Sequence, residues 1–159
     1  MTRDPRRDDR TTFPDPVYME TVLRPLFDGA RTHHVEGFRA IDRAHLVMLA
    51  ETGILHRDMA GRIARALRAI EADLDPSAMV YTGAEEDYFF AIEAELKKRL
   101  GPDEAGRLHT GRSRNDIDHT LFKLALKPRV DVLGAQLRAL IGSGLALAER
   151  ERATLIVAY

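Results

Sequence analysis

The last third of the chain is long, rich in apolar residues and helical in pattern. After Asp116 neither glycine nor proline occurs until Pro128, and apolar-rich sequence then continues to Ala148. Its apolar residues recur about every 3.5 positions, the period of a helix that packs along other helices. They are Leu126, Val130, Leu133, Leu137 and Leu140. One helix over residues 115–150 would be about 54 Å long, longer than a domain of this size is wide. Much of its apolar face therefore needs partners outside the domain, and Pro128 is expected to kink or divide the helix.

The preceding sequence also favours helices. Apolar residues at three- and four-residue intervals predict three further segments, each followed by a helix-ending glycine or proline. These segments are residues 35–49, 59–74 and 88–100, followed by Gly53, Pro76 and Gly101-Pro102. No alternation of apolar and polar residues is long enough to predict a strand. We therefore expect an all-α fold, in which a small helical N-terminal domain (17–110) precedes the signature loop and first long helix of a central helical bundle (111–159).

Composition excludes several classes of protein. Lysine and arginine number 24 against 25 acidic residues, so the basic surplus of nucleic-acid-binding proteins is missing. Cysteine is absent, which rules out disulfides and thiolate metal sites. No stretch approaches the roughly 18 uninterrupted apolar residues of a membrane span. We expect a cytoplasmic protein that binds neither nucleic acid nor a membrane.

The first sixteen residues differ from the rest of the chain. They are mostly charged or turn-forming and include Pro5, Pro14 and Pro16, so they are expected to form a disordered arm. Their acidic residues and lack of an apolar run are unlike a signal or transit peptide.

One short segment concentrates residues that suit an anion. It reads His109-Thr110-Gly111-Arg112-Ser113-Arg114-Asn115-Asp116. Asn115 or Asp116 suits the N-cap of the long helix, whose first-turn amides and positive dipole attract anions. Arginine can grip a carboxylate through two hydrogen bonds, and serine and asparagine can orient it without adding charge. A plain helix cap with its arginines paired to acids would use the same residues, so the residues alone leave both interpretations open.

The run Thr110–Asp116 is identical to the Thr-Gly-Arg-Ser-Arg-Asn-Asp signature of a known enzyme family. Through this run the chain resembles the argininosuccinate lyase family, within the fumarase and aspartase superfamily. The flanking pairs Glu86-Asp87, Ile92-Glu93 and Leu108-His109 are also similar to that family. The resemblance implies substrate-binding and supporting residues within the loop and at the start of the helix before it. The substrate-binding residues are Arg112, Ser113, Arg114 and Asn115, and the supporting residues are Asp87 and Thr110. Asn115 is the residue most expected to contact substrate.

The resemblance implies a carbon–nitrogen lyase of arginine biosynthesis that eliminates fumarate from argininosuccinate. It implies neither a metal nor an organic cofactor. The catalytic base is expected outside this chain, because Tyr159 corresponds to the first residue of the family's Tyr-Thr-His-Leu-Gln segment and the family's serine loop is not found. We therefore expect the sequence to continue and the 159-residue chain to be inactive alone. The family forms homotetramers, which would supply partners for the long helix.

Three departures from the family concern the substrate. Phe89 stands where the family has histidine, and Ala91 where it has asparagine. The Trp-Gly-Gly-Arg-Phe opening is replaced by Phe27-Asp28-Gly29-Ala30. These positions correspond to the amino-acid end of the substrate. They favour an alternative lyase that acts on another N-substituted aspartate or aminodicarboxylate, and a non-catalytic helical assembly module is a further alternative.

The remaining histidines give no metal site in this interpretation. His33 and His34 are adjacent and would point in different directions on a helix, and no further ligand stands at a suitable spacing. Asp42 and His45 are three residues apart on a predicted helix and are expected to hydrogen-bond to each other.

Overall fold

The computed structural model describes residues 14–157, and every regular element in that range is helical. This confirms the expected all-α fold. The chain divides into two compact units, Met1–Ile117 and Asp118–Tyr159. The signature segment thus lies in the first unit. The expected disordered arm falls mainly on residues outside the described range, although Pro16 is already helical.

The first unit contains six α-helices and three short turns of other helix types among its described residues. The α-helices are α1 (Pro16–Tyr18), α2 (Arg24–His33), α3 (Val35–Glu51), α4 (Arg57–Asp73), α5 (Tyr88–Leu100) and α6 (Pro102–Gly106). A π-helical turn (Met19–Leu23) joins α1 to α2, and 3₁₀ turns occupy Pro76–Ala78 and Arg107–His109. The three helices predicted before the signature correspond to α3, α4 and α5.

Local signals explain where these helices start and stop. Gly53 follows α3 with φ of 74°, a left-handed conformation that glycine adopts at little cost. Asp87 caps α5 by accepting a hydrogen bond from the backbone N–H of Phe90 at 3.1 Å. Gly101 and Pro102 then end α5 and begin α6. This capping fixes the start of α5 beside the signature loop.

The core of the first unit lies among α3, α4, α5 and α6. Its most deeply buried side chains include Leu49, Ile63 and Leu96, each no more than 2% exposed. Burying an aliphatic side chain of this size contributes about 1.5–3 kcal/mol. The packed helices therefore give the signature loop a rigid support.

The long helix α7 runs without a break from Arg114 to Glu151, a length of 38 residues. Of the two expected effects of Pro128, division of the helix is wrong, because α7 continues through the proline, and a kink remains a prediction. Proline removes one backbone donor and crowds the preceding turn. The Arg129 guanidinium donates to the Ala125 carbonyl at 2.6 Å, which supplies a donor to the turn that the proline disturbs.

Many large apolar side chains of α7 are exposed. The predicted stripe is exposed by 41% at Leu126, 54% at Val130 and Leu133, 49% at Leu137 and 68% at Leu140. By length and composition alone α7 also qualifies as a membrane span, with a mean hydropathy of 1.3 over its most apolar window. That window contains Asp131 and Arg138 and is exposed throughout, and one helix of this kind does not by itself show a membrane span. An apolar stripe interrupted by charges favours packing against other helices.

Candidate functional site

The signature segment forms a tight loop between the 3₁₀ turn Arg107–His109 and α7. Gly111 has φ of 74° and no heavy atom within 4 Å of the place where a Cβ would stand. Glycine is therefore required there by backbone conformation and not by space. The turn at Gly111 directs the following residues into the first turn of α7.

Ser113 caps α7, which corrects the expectation that Asn115 or Asp116 is the N-cap. The Ser113 N–H and hydroxyl both donate to Asp116 Oδ2 at 2.9 Å, and the Asp116 N–H donates to Ser113 Oγ at 3.3 Å. This is the reciprocal arrangement of a capping box. The Ser113 carbonyl also accepts the helical bond from Ile117 at 3.3 Å. The cap thus consists of residues 113 and 116 and leaves the amide of Asn115 outside it.

Arg114 turns back onto the N-terminus of α5. Its Nε and Nη2 atoms lie 2.8 and 2.7 Å from Asp87 Oδ2. Asp87 therefore does two things, since its other oxygen caps α5. The expected supporting role of Asp87 remains a prediction, but the structure brings it into direct contact with the signature.

Arg112 is buried against α3. Its side chain is 7% exposed, and Nη1 lies 2.8 Å from Oδ1 of Asp42, which is 13% exposed. Neither Nε nor Nη1 has a partner with hydrogen-bond geometry, so this contact is a close ion pair with poor alignment. Asp42 is a residue of the site that sequence reasoning missed, because no local pattern connects α3 with the loop.

Phe89 packs beneath both arginines. The guanidinium carbons of Arg112 and Arg114 lie 5.6 and 5.5 Å from the centre of its ring, within the range of cation–π attraction. The His109 ring meets Phe89 edge-on at 5.4 Å, and His109 Nδ1 lies 3.4 Å from Glu93 Oε1. The phenyl ring therefore occupies the interior of the loop and is itself only 5% exposed.

A second contact from α3 holds the beginning of the loop. His45 Nε2 donates to the Thr110 carbonyl at 2.9 Å. The expected hydrogen bond between Asp42 and His45 is thus replaced by two separate contacts with the loop, because both side chains reach across to it. Helix α3 touches the signature at Thr110 and again at Arg112.

Burial dominates the electrostatics of Asp42. Desolvation raises the pKa of its carboxyl above the ordinary value of 3.8, and the Arg112 guanidinium, which lowers that pKa, offsets only part of the effect. Folding therefore favours the protonated carboxyl. The contribution of Asp42 to stability is fully present below the unfolded value of 3.8 and is lost as the pH rises through the folded-state pKa.

The signature residues thus face two ways. Arg112 and Arg114 point towards carboxylates of the helical support, whereas the side chains of Thr110, Ser113 and Asn115 are exposed. Asn115 makes no side-chain hydrogen bond to any residue in the described range. The exposed groups lie at the N-terminal end of a long helix, where donors and the helix dipole suit a carboxylate.

A metal site is not found in the part of the chain that the structure describes. Residues 14–157 contain no cluster of three or more histidine, aspartate or glutamate side chains placed to hold an ion. His33 and His34 stand with ring centres 6.4 Å apart.

Residues 11–159 match a protein family described as Lyase. The chain therefore belongs to this family of lyases, within the fumarase and aspartase superfamily.

Its relatives are named argininosuccinate lyase. The chain is 63% identical to argininosuccinate lyase 2 of Agrobacterium fabrum over 98% of its own length and 31% of that protein. It is 40% identical to argininosuccinate lyase of Methanocaldococcus jannaschii over 74% of the chain and 24% of the relative. A third, from Saccharophagus degradans, is 39% identical over 94% of the chain and 31% of the relative. The chain spans about a third or less of the length of these relatives.

The raised pKa of Asp42 can be tested directly. In a ¹³C NMR titration we expect the Asp42 Cγ resonance to change with a midpoint above 3.8. As the pH rises from about 4 towards neutrality, ionisation of this carboxyl should lower the free energy of unfolding. In Asp42→Asn this decrease should be absent. A midpoint at or below the ordinary value would mean that Arg112 outweighs burial.

Proposed function

We propose that the complete enzyme containing this chain is a carbon–nitrogen lyase that cleaves argininosuccinate to arginine and fumarate. The observation that carries the proposal is the signature loop, which keeps Ser113 and Asn115 exposed at the start of α7. The names of the relatives support the same reaction. A cytoplasmic role in arginine biosynthesis follows from that activity.

The exposed part of the loop suits the charge that develops during elimination. Removal of a proton beside a carboxylate places extra negative charge on the carboxylate oxygens. Donors already aimed at those oxygens stabilise this charge without reorganisation. We assign this contact to Asn115, and to Ser113 once its hydroxyl turns from Asp116 Oδ2 to the substrate. Arg112 and Arg114, also expected to bind substrate, hold the loop and contribute positive charge behind it.

The catalytic base lies outside residues 1–159 in this proposal. The loop and α5 then supply binding and orientation, with Asp87 and Thr110 in support. No metal and no organic cofactor take part.

An alternative substrate follows from the departures at Phe89 and Ala91. Phe89 is buried beneath the arginines, so its ring alters the interior of the loop and not its exposed surface. This placement favours argininosuccinate over another N-substituted aspartate or aminodicarboxylate. A non-catalytic assembly module would require the exposed donors to have no ligand.

Fumarate absorbance distinguishes these candidates. We expect a complete enzyme containing this chain to release fumarate from argininosuccinate faster than from other N-substituted aspartates. Faster release from a different N-substituted aspartate would support the related lyase. Failure to release fumarate from any of them would support the assembly module.

The role of Asn115 can be separated from that of the helix cap. Asn115→Ala in the complete enzyme should lower turnover about 100- to 1000-fold by removing a donor used in the transition state. Its thermal midpoint should hardly change, because Asn115 lies outside the capping box. The matched variant Ser113→Ala removes the cap and should cost about 1 kcal/mol of stability. An Asn115→Ala enzyme with normal turnover would show that this side chain does not bind substrate.

We also propose that the enzyme is a homotetramer assembled through α7. The exposed stripe Leu126–Leu140 offers apolar surface whose burial is worth about 25 cal/mol per Å². Contact with the same helix in other copies would cover it.

Self-association should therefore depend on that stripe. We expect light scattering to detect an oligomer at micromolar concentration, and Leu133→Lys together with Leu137→Lys to shift it towards monomer. Lysine placed at Leu26, an exposed apolar residue of α2, is the control and should leave association unchanged. A stable monomer of the unmodified chain would contradict the proposal.

A further inference from the structure

Asp42 stands inside α3 and has no part in capping a helix. Asp87, by contrast, caps α5 while it holds Arg114. The contact that the structure gives the Asp42 carboxylate is the one with Arg112, at 2.8 Å. The carboxylate therefore makes its ion pair with the loop.

Few groups other than the Asp42 carboxylate are placed to bind the Arg112 guanidinium. Phe89 covers the guanidinium from one side, and a phenyl ring attracts a cation without directing its individual N–H groups. A cavity of about 20 Å³ borders Arg112, Glu93 and His109, which is room for one water molecule. Among the described residues, Asp42 is the carboxylate that forms an ion pair with Arg112.

The Asp42–Arg112 pair lies where burial opposes charge. A buried ion pair often contributes nothing to stability relative to apolar packing, and here burial outweighs the attraction of Arg112 at Asp42. We explain a carboxylate in such a place by the position of its partner, because Arg112 directly precedes Ser113 in the loop.

We propose that Asp42 is a positioning residue, whose buried carboxylate fixes Arg112 over Phe89 and thereby sets the backbone that presents Ser113 and Asn115. His45, one turn further along α3, holds the other end of the loop through Thr110. The functional consequence rests on the proposed lyase activity, but the order of the loop does not.

Hydrogen exchange of the 159-residue chain tests the loop itself. In Asp42→Asn, backbone amides of residues 111–116 should exchange at least about tenfold faster while the core of the first unit stays protected. Asp42→Glu keeps the charge and should show a smaller increase. Asp73→Asn is the control, since Asp73 forms an ion pair with Arg99 at 2.9 Å between α4 and α5. In this variant, residues 111–116 should exchange at the unmodified rate.

Kinetics of the complete enzyme give the second readout. Asp42→Asn should lower kcat by up to about 100-fold through misplaced donors, with partial rescue by Asp42→Glu. A role in stability alone would lower the thermal midpoint and leave kcat of the folded enzyme unchanged.

Several results would overturn the proposal. One is a folded Asp42→Asn chain whose loop exchanges at the unmodified rate. If Asp42→Asn does not fold, Asp42→Glu decides: faster loop exchange over an intact core supports the proposal, and unchanged exchange overturns it. Unfolding of both variants would make Asp42 a general stability residue. If no lyase activity is found at all, the exchange result still decides the positioning of the loop.

Discussion

A buried guanidinium is tolerated only where a carboxylate or an aromatic face compensates for the water that it loses. The segment at the start of α7 places two arginines against the helical support, Arg112 with a buried side chain and Arg114 with a side chain that is 25% exposed. Arg112 meets Asp42 of α3 and Arg114 meets Asp87 at the start of α5. These two pairs tie the start of the long helix to two helices that are far apart in sequence, so the exposed residues of the loop depend on interactions that they do not make themselves.

Phe89 links the two pairs into one cluster. Its ring contacts both guanidinium groups and the His109 ring. A histidine at this position, which the resemblance to the family leads us to expect, could donate or accept hydrogen bonds and change its charge. Phenylalanine removes those possibilities and leaves a cation–π surface under both guanidinium groups, beside the contacts that the two arginines make with Asp42 and Asp87. The departure therefore has its first effect on how the loop is held.

The length of α7 is the other constraint on this protein. A helix of 38 residues extends about 57 Å at 1.5 Å per residue, and its apolar side chains are exposed along much of that length. Pro128 does not interrupt it, although the Leu124 carbonyl loses its helical donor there, and the Arg129 guanidinium donates to the next carbonyl, that of Ala125. The exposed stripe of α7 therefore offers a surface for packing against other helices.

Sequence determined the helices because their signals are local. The apolar periodicity of α3, α4 and α5, the turn at Gly53 and the length of α7 could all be read within a few residues. The Ser113 cap was also within reach, because serine followed three residues later by an acid is a capping pattern; the choice of Asn115 or Asp116 overlooked it. Only the tertiary structure decided which way each signature side chain points. Asp42 and His45 look like a pair within one helix, and nothing near them in sequence indicates Arg112 or Thr110. Their contacts exist because packing brings α3 beside the loop. Distance in space, and not separation in sequence, decides which charged groups pair.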